Sequence, residues 1–216
     1  MPPFSTVLFD LDGTLIDSLR LILDSYHHTL REHRLPARDD AYWLRGVGTP
    51  LRVQFSDYAA DPPLLERLVA TYREYNLAHH DRMVTRYEGV TEMLTAVRKA
   101  GARTALVTSK NREGAIRGLR LLGLEPFLEV LVCADDVVRP KPDREPVDKA
   151  LALLGTTAPE AVFVGDSIHD IHSGHAAGVA TAAALWGPFG RAELAASAPE
   201  YWLDAPADLL TLIGAA

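Results

Sequence analysis

Five short apolar runs, each ending at a polar residue and each followed by a helix-like stretch, constrain this chain more than any other feature. They run from Ser5 to Asp10, Arg103 to Thr108, Val130 to Cys133, Ala161 to Gly165 and Ala180 to Leu185. Their apolar residues are nearly continuous rather than alternating, as in strands of a parallel sheet buried on both faces. The pattern therefore predicts an α/β fold with helices covering a parallel sheet. Ligands of such sheets bind outside the carboxyl ends of the strands. Asp10, Thr108 and Asp166 each fall at or just past such an end, so residues distant in sequence are expected to converge on one crevice.

Nearly a hundred residues separate the first two strands, too many for a simple crossover, and they contain no strand-like run. They read as an inserted helical unit. Helices are expected from about Ser18 to His33, with Ser18 as a cap, and from about Pro63 to His80, with Pro63 in the first turn. Gly46, Val47, Gly48, Thr49 and Pro50 break the helical pattern and predict a loop inside the insertion. Residues 15–86 are assigned to the helical unit, and residues 1–14 and 87–216 to the α/β core. A length of 216 residues suits one core domain with one smaller insertion.

The Phe9-Asp10-Leu11-Asp12-Gly13-Thr14-Leu15 segment carries the clearest chemistry, because a buried strand opens directly into two carboxylates. Two acids so close repel unless a cation lies between them or they share work on a ligand. A plain Asp-x-Asp-Gly turn is the alternative. A calcium loop is a second, but its closing glutamate would fall at Leu21.

These residues resemble the first motif of the haloacid dehalogenase-like hydrolase superfamily, Asp-x-Asp-Gly-Thr-Leu after an apolar strand. Three further motifs follow in the family's order: Leu106-Val107-Thr108-Ser109-Lys110, Arg139-Pro140-Lys141-Pro142-Asp143, and Gly165-Asp166-Ser167-Ile168-His169-Asp170. The resemblance covers almost the whole chain and implies a Rossmann-like parallel sheet core with an inserted small α-helical cap. It implies that Asp10 is a nucleophile forming an aspartyl-phosphate, and that Asp12 moves the protons. It implies Mg2+ held by Asp10, the Asp12 main-chain oxygen and Asp166, with Asp170 a ligand or, by preference, an orienting group behind the ligands. Lys141 would supply a fixed positive charge, and Thr108 and Ser109 would hold phosphoryl oxygens. The dehalogenase branch, which attacks carbon, lacks the second aspartate, so Asp12 favours phosphate chemistry.

The insertion after the first motif resembles the cap of phosphoglycolate phosphatases, β-phosphoglucomutases and PpaX-type pyrophosphatases. Likeness to the last extends to Thr71–Asn76 leading into His79-His80-Asp81, to Asp135-Asp136-Val137, and to Lys141–Pro146. The cap loop of this group often reads Gly-Pro-Pro-Leu or Gly-Pro-Ser-Leu, whereas this chain has Gly48-Thr49-Pro50-Leu51. Gly48 and Thr49 are assigned to substrate binding, together with Lys110 and, less favoured, Arg45 as extra anion contacts. His79 and His80 are assigned to a cap helix surface or hinge. His169, His172 and His175 recur every three residues and read as a helix face in preference to a metal site.

Composition narrows the partners. A net charge of −7 disfavours nonspecific attraction to nucleic acid, and no apolar run approaches the roughly 20 residues of a membrane helix. Cys133 is the only cysteine, which excludes an internal disulfide. With no signal-peptide pattern, a cytoplasmic enzyme is expected, acting on pyrophosphate, phosphoglycolate or another small phosphorylated molecule. A phosphomutase and a noncatalytic phosphate-binding regulator are the alternatives; the oligomeric state is not legible.

Overall fold

The computed structural model describes residues 4–58 and 62–215. In chain order, β1 (Thr6–Phe9) leads into β2 (Ile16–Asp17), then α1 (Leu19–Glu32), α2 (Asp40–Leu44), α3 (Leu51–Gln54) and α4 (Pro62–Met83). Next come β3 (Thr85–Arg86), α5 (Val90–Lys99), β4 (Arg103–Val107), α6 (Arg112–Leu121), β5 (Val130–Val132) and α7 (Glu145–Leu154). The chain closes with β6 (Ala161–Gly165), α8 (Ile168–Ala177), β7 (Ala180–Ala184), α9 (Arg191–Leu194), β8 (Tyr201–Leu203) and α10 (Leu209–Leu212).

Six of these strands form one parallel sheet in the order β5-β4-β1-β6-β7-β8. The α/β, Rossmann-like expectation holds, and each anticipated strand forms within a residue or two of its expected bounds. Its physical basis is visible in β1, whose successive side chains point to opposite faces. Val7 and Phe9 join one apolar cluster with Val90, Leu94 and Val97 of α5, while Leu8 joins a second with Val147 and Leu151 of α7. In β6, Val162 and Val164 divide from Phe163 in the same way. Both faces are dry, and the one polar side chain of these two strands, Thr6 at the start of β1, is buried with its hydroxyl bonded to Thr156. β8 was not anticipated; with three residues, and Tyr201 and Trp202 only partly buried, it is an edge strand with too little pattern to read.

The insertion is helical, as expected, and has its own core. Leu23, Tyr26 and Leu30 of α1 meet Trp43, Phe55, Leu68 and Val69 in a third cluster, with the Tyr26 and Trp43 rings stacked at 4.1 Å. Two elements depart from the sequence reading. The short helices α2 and α3 flank the expected Gly46–Pro50 loop, and each is too brief to show periodicity. At the base of the insertion β2 and β3 pair antiparallel, Ile16 with Arg86 and Asp17 with Thr85, so the chain leaves and re-enters the core through a two-residue ribbon. Among the described residues no helix is long and apolar enough to cross a membrane.

Candidate active site

β1 ends at Phe9 between two parallel neighbours, and the next N–H, that of Asp10, donates to Val164 O at 2.9 Å. The chain then turns sharply: the Leu15 and Ile16 N–H groups both donate to Leu11 O at 2.9 Å. Gly13 is required inside this turn. Its φ is +95°, and a Cβ there would lie 2.3 Å from Asp166 Oδ2. The two carboxylate-bearing loops are thus pressed together by a position that tolerates no side chain.

Around Asp10, the structure gathers Lys141, Asp166 and Asp170, all buried. Lys141 Nζ donates to Asp10 Oδ1 at 2.7 Å, to Asp170 Oδ1 at 2.5 Å and to Val107 O at 3.2 Å. Burial opposes the Lys141 charge, but the adjacent Asp10 and Asp170 outweigh it and hold the ammonium above the ordinary lysine range. One lysine bonds two of the three buried carboxylates and leaves Asp166 without a cation. Burial, against the pull of Lys141 and helped by the Asp170 charge, pushes Asp10 up to about 7. Asp166 is also raised, first by burial and then by Asp170 and Asp10.

That excess of negative charge suits a divalent cation. Asp10, Asp166 and Asp170 each place a carboxylate oxygen within 4.8 Å of the others. Asp166 Oδ1 accepts from Thr14 Oγ1 at 2.8 Å, whereas its buried Oδ2 has no protein hydrogen-bond partner. An acceptor left bare in a dry site is costly unless something positive meets it, and an all-oxygen set matches Mg2+. Asp170 is otherwise engaged: Oδ1 takes Lys141, and Oδ2 accepts from the N–H and Oγ of Ser167 at 3.0 and 2.7 Å, closing the capping box of α8.

Asp12 lies above this buried cluster and faces the helical unit. Its Oδ1 accepts from Lys110 Nζ at 2.8 Å and from Ser18 Oγ at 2.5 Å. Ser18 occupies the N-cap position of α1, as expected, but makes no side-chain cap bond. Its hydroxyl is drawn to the nearby carboxylate, a charge-assisted contact stronger than a bond to a backbone N–H. Thr108 follows β4 and is buried, and its Oγ1 accepts from the Lys110 N–H at 3.1 Å. Asn111, not Thr108, takes the N-cap position of α6, without a side-chain cap bond.

The helical unit closes one side of a cavity of about 420 Å3, bounded by Asp10, Asp12, Thr108, Ser109 and Lys110 from the core and by Gly48 and Thr49 from the loop. Ser109 Oγ donates to Gly48 O at 2.6 Å, tying loop to core. Gly48 has φ +94°, and a Cβ there would lie 2.7 Å from Ser167 Oγ. Of the two extra basic candidates, Lys110 reaches the site. Arg45 is exposed over the Tyr42 ring and does not line the cavity.

Of the histidines singled out, His169 packs against the Gly48 loop, its Cδ2 3.2 Å from where a Gly48 Cβ would stand, and the others are elsewhere. His79 is half-buried, its Nδ1 bonded to Tyr75 O. His80 is fully buried rather than on a surface; its Nδ1 donates to Asp81, which also takes Arg117 of α6 in a two-pronged ion pair at the base of the unit. His172 is exposed, and His175 meets Glu200 and Thr181. Among the described residues the aspartate trio is the only metal-suited cluster. Sequence reasoning missed Thr14 and Ser18 as partners of Asp166 and Asp12, although Thr14 lies inside the first motif. It also missed the α4 face Tyr72, Arg73, Asn76 and Leu77 on the cavity wall, whose spacing of one and four residues was the available signal.

The chain is similar to known proteins over nearly its whole length. The chain is 44% identical over 214 residues, 98% of its length and 97% of the relative's, to a protein named pyrophosphatase PpaX from Bacillus pumilus. It is 43% identical over 213 residues, 97% of each chain, to one of the same name from Halalkalibacterium halodurans. Its fold matches a crystal structure described as a predicted phosphoglycolate phosphatase from Haemophilus somnus, with a TM-score of 0.88, 25% identity and coverage of 98% and 99% of the two chains. The haloacid dehalogenase-like hydrolase family model matches residues 7–184, from the second residue of β1 to the last of β7. Those residues include all four carboxylates and the lysine of the site, and the chain belongs to the haloacid dehalogenase-like hydrolases.

Proposed function

We propose that the chain is a Mg2+-dependent phosphohydrolase working through an aspartyl-phosphate, with pyrophosphate as its leading substrate and phosphoglycolate second. The observation that carries the reading is the buried cluster in which Lys141 bridges Asp10 and Asp170 while Asp166 Oδ2 stands bare. Relatives above 40% identity, among them the two described above, are named pyrophosphatases and support the substrate order.

Asp10 attacks phosphorus, replacing one difficult displacement by water with two easier ones. Its carboxylate is held by Lys141 through Oδ1. Asp12 gives a proton to the leaving oxygen and later takes one from the attacking water, which requires a carboxyl beside the nucleophile but not engaged with it. Its bonds from Lys110 and Ser18 keep it on the side facing the helical unit. Thr108 Oγ1 and the Ser109 N–H receive phosphoryl oxygens, and Lys141 offsets their charge. Asp10, the Asp12 main-chain oxygen and Asp166 would hold Mg2+, with Asp170 orienting Lys141 and the α8 N-terminus behind them. The ion, when bound, lowers repulsion between two anions and stabilises charge in the transition state. Residues 15–86 act as a cap whose Gly48 loop excludes water when seated on Ser109.

Phosphate release from pyrophosphate and from phosphoglycolate, measured side by side with and without Mg2+, tests the proposal, with Asp10→Asn as blank. Mg2+-dependent release, faster from pyrophosphate and absent in the variant, is the expected result. Release of neither product by folded wild-type protein would reject it.

A further inference from the structure

The cavity is much larger than one phosphoryl group needs, and its far wall comes from the helical unit. Three cations line it: Lys110, Arg52 and Arg73. Two are already committed. Lys110 is paired with Asp12, and Arg52 holds the Glu66 carboxylate with its two terminal guanidinium nitrogens, Nη1 and Nη2. Arg73 has no hydrogen bond or ion pair among the described residues and reaches Glu66 only as a distant charge. It shares one face of α4 with Tyr72, Asn76 and Leu77, all on the cavity wall. This face is held firmly behind Arg73: Asn76 is buried and its Nδ2 donates to Ser25 Oγ at 3.1 Å, while Ser25 Oγ donates to Leu21 O at 2.6 Å. Burial keeps Tyr72 a neutral phenol far above its ordinary pKa, so it adds no competing anion to that wall.

We infer that Arg73 is the specificity-determining cation of a second oxyanion subsite, placed on the cap to bind the leaving phosphoryl group of pyrophosphate. This rests on the phosphohydrolase reading for the identity of the first subsite, at Asp10. A guanidinium presents a planar fork matched to phosphate oxygens. Because Arg73 belongs to the cap, an anion bound by it bridges cap and core, so the two-phosphate ligand itself favours the closed arrangement. A single phosphate spans no such gap and gains nothing from Arg73.

Calorimetric binding of imidodiphosphate and of orthophosphate in Mg2+ buffer, to wild-type protein, Arg73→Gln and Arg73→Lys, tests this directly. The readout is the ratio of the two affinities in each protein. A charge-assisted contact corresponds to a ratio of about tenfold or more in wild type. The ratio is expected to collapse toward unity in Arg73→Gln and to recover in part in Arg73→Lys. A merely structural role for Arg73 would weaken both ligands alike and leave the ratio unchanged. A wild-type ratio near one, or a ratio that survives Arg73→Gln, overturns the inference. Pyrophosphate turnover is scored separately: a ratio that depends on Arg73 without turnover keeps the subsite and rejects the hydrolase reading, and turnover with a ratio indifferent to Arg73 does the reverse.

Discussion

The strictest requirements fall on single side chains. Lys141 is buried with Asp10 and Asp170 against it, so its removal leaves two carboxylates facing each other in a dry site. Lys141→Met should cost about 3–5 kcal/mol by chemical denaturation, as for other broken buried pairs, besides abolishing turnover. A loss well under 1 kcal/mol would mean that water reaches these carboxylates. Asp10 gives the pH dependence. Its ordinary carboxyl pKa of 3.8 rises to about 7 in the metal-free fold, so between those values the folded state keeps a proton that the unfolded chain releases. Stability must then fall as pH rises through that window and level off above it. In chelator, Tm should decline from about pH 5 to about pH 7. Added Mg2+ should restore it more at pH 8 than at pH 5, because the ion takes the deprotonated carboxylates. Equal Mg2+ shifts at both pH values would place the ion elsewhere. The aspartates and Lys141 were legible because each follows an apolar strand or sits in a distinctive local sequence. Thr14 and Ser18 were not, since a hydroxyl's partner depends on which carboxylate the folded chain brings within reach.

At the scale of elements, the decisive contact is the loop before α3 against the core. Ser109→Ala removes the bond to Gly48 O, worth about 1 kcal/mol if it persists in the bound state. It should raise KM severalfold with little change in Tm. Gly48→Ala is harsher, because a Cβ at φ +94° strains the backbone and meets Ser167 Oγ at 2.7 Å. It should lower kcat/KM at least as much as Ser109→Ala, with Tm again as the control; unaltered kinetics in both variants would show that the loop does not seat on Ser109 during turnover. The five main strands were readable because apolar runs end at polar residues ahead of helix-like stretches, and the two long helices because each is long enough for its pattern to repeat. The helices α2 and α3, the β2–β3 ribbon and the edge strand β8 were not. Each is five residues or shorter and is fixed by its neighbours rather than by its own pattern.

For the whole molecule, the sheet with its two helical layers holds the nucleophile, while the insertion, packed around Trp43, brings the other wall of the cavity. Separate cores imply separable stabilities. Trp43→Ala should cost the helical unit about 3–5 kcal/mol. Hydrogen exchange should then show lost protection in α1 and α4 but retained protection in β1, β4 and β6; uniform loss would mean that the two cores fold as one. The division was visible in the sequence as the long interval after β1, whereas the Ser109 and Lys110 contacts that join the halves depend on distances no sequence pattern encodes. The central claim is that Asp10 becomes covalently phosphorylated. Acid quenching during turnover of labelled pyrophosphate with Mg2+, followed by peptide mapping, tests it most directly. Label on the peptide carrying Asp10, absent in Asp10→Asn, is the predicted result; sustained turnover by Asp10→Asn, or turnover with no labelled chain at any quench time, would contradict it.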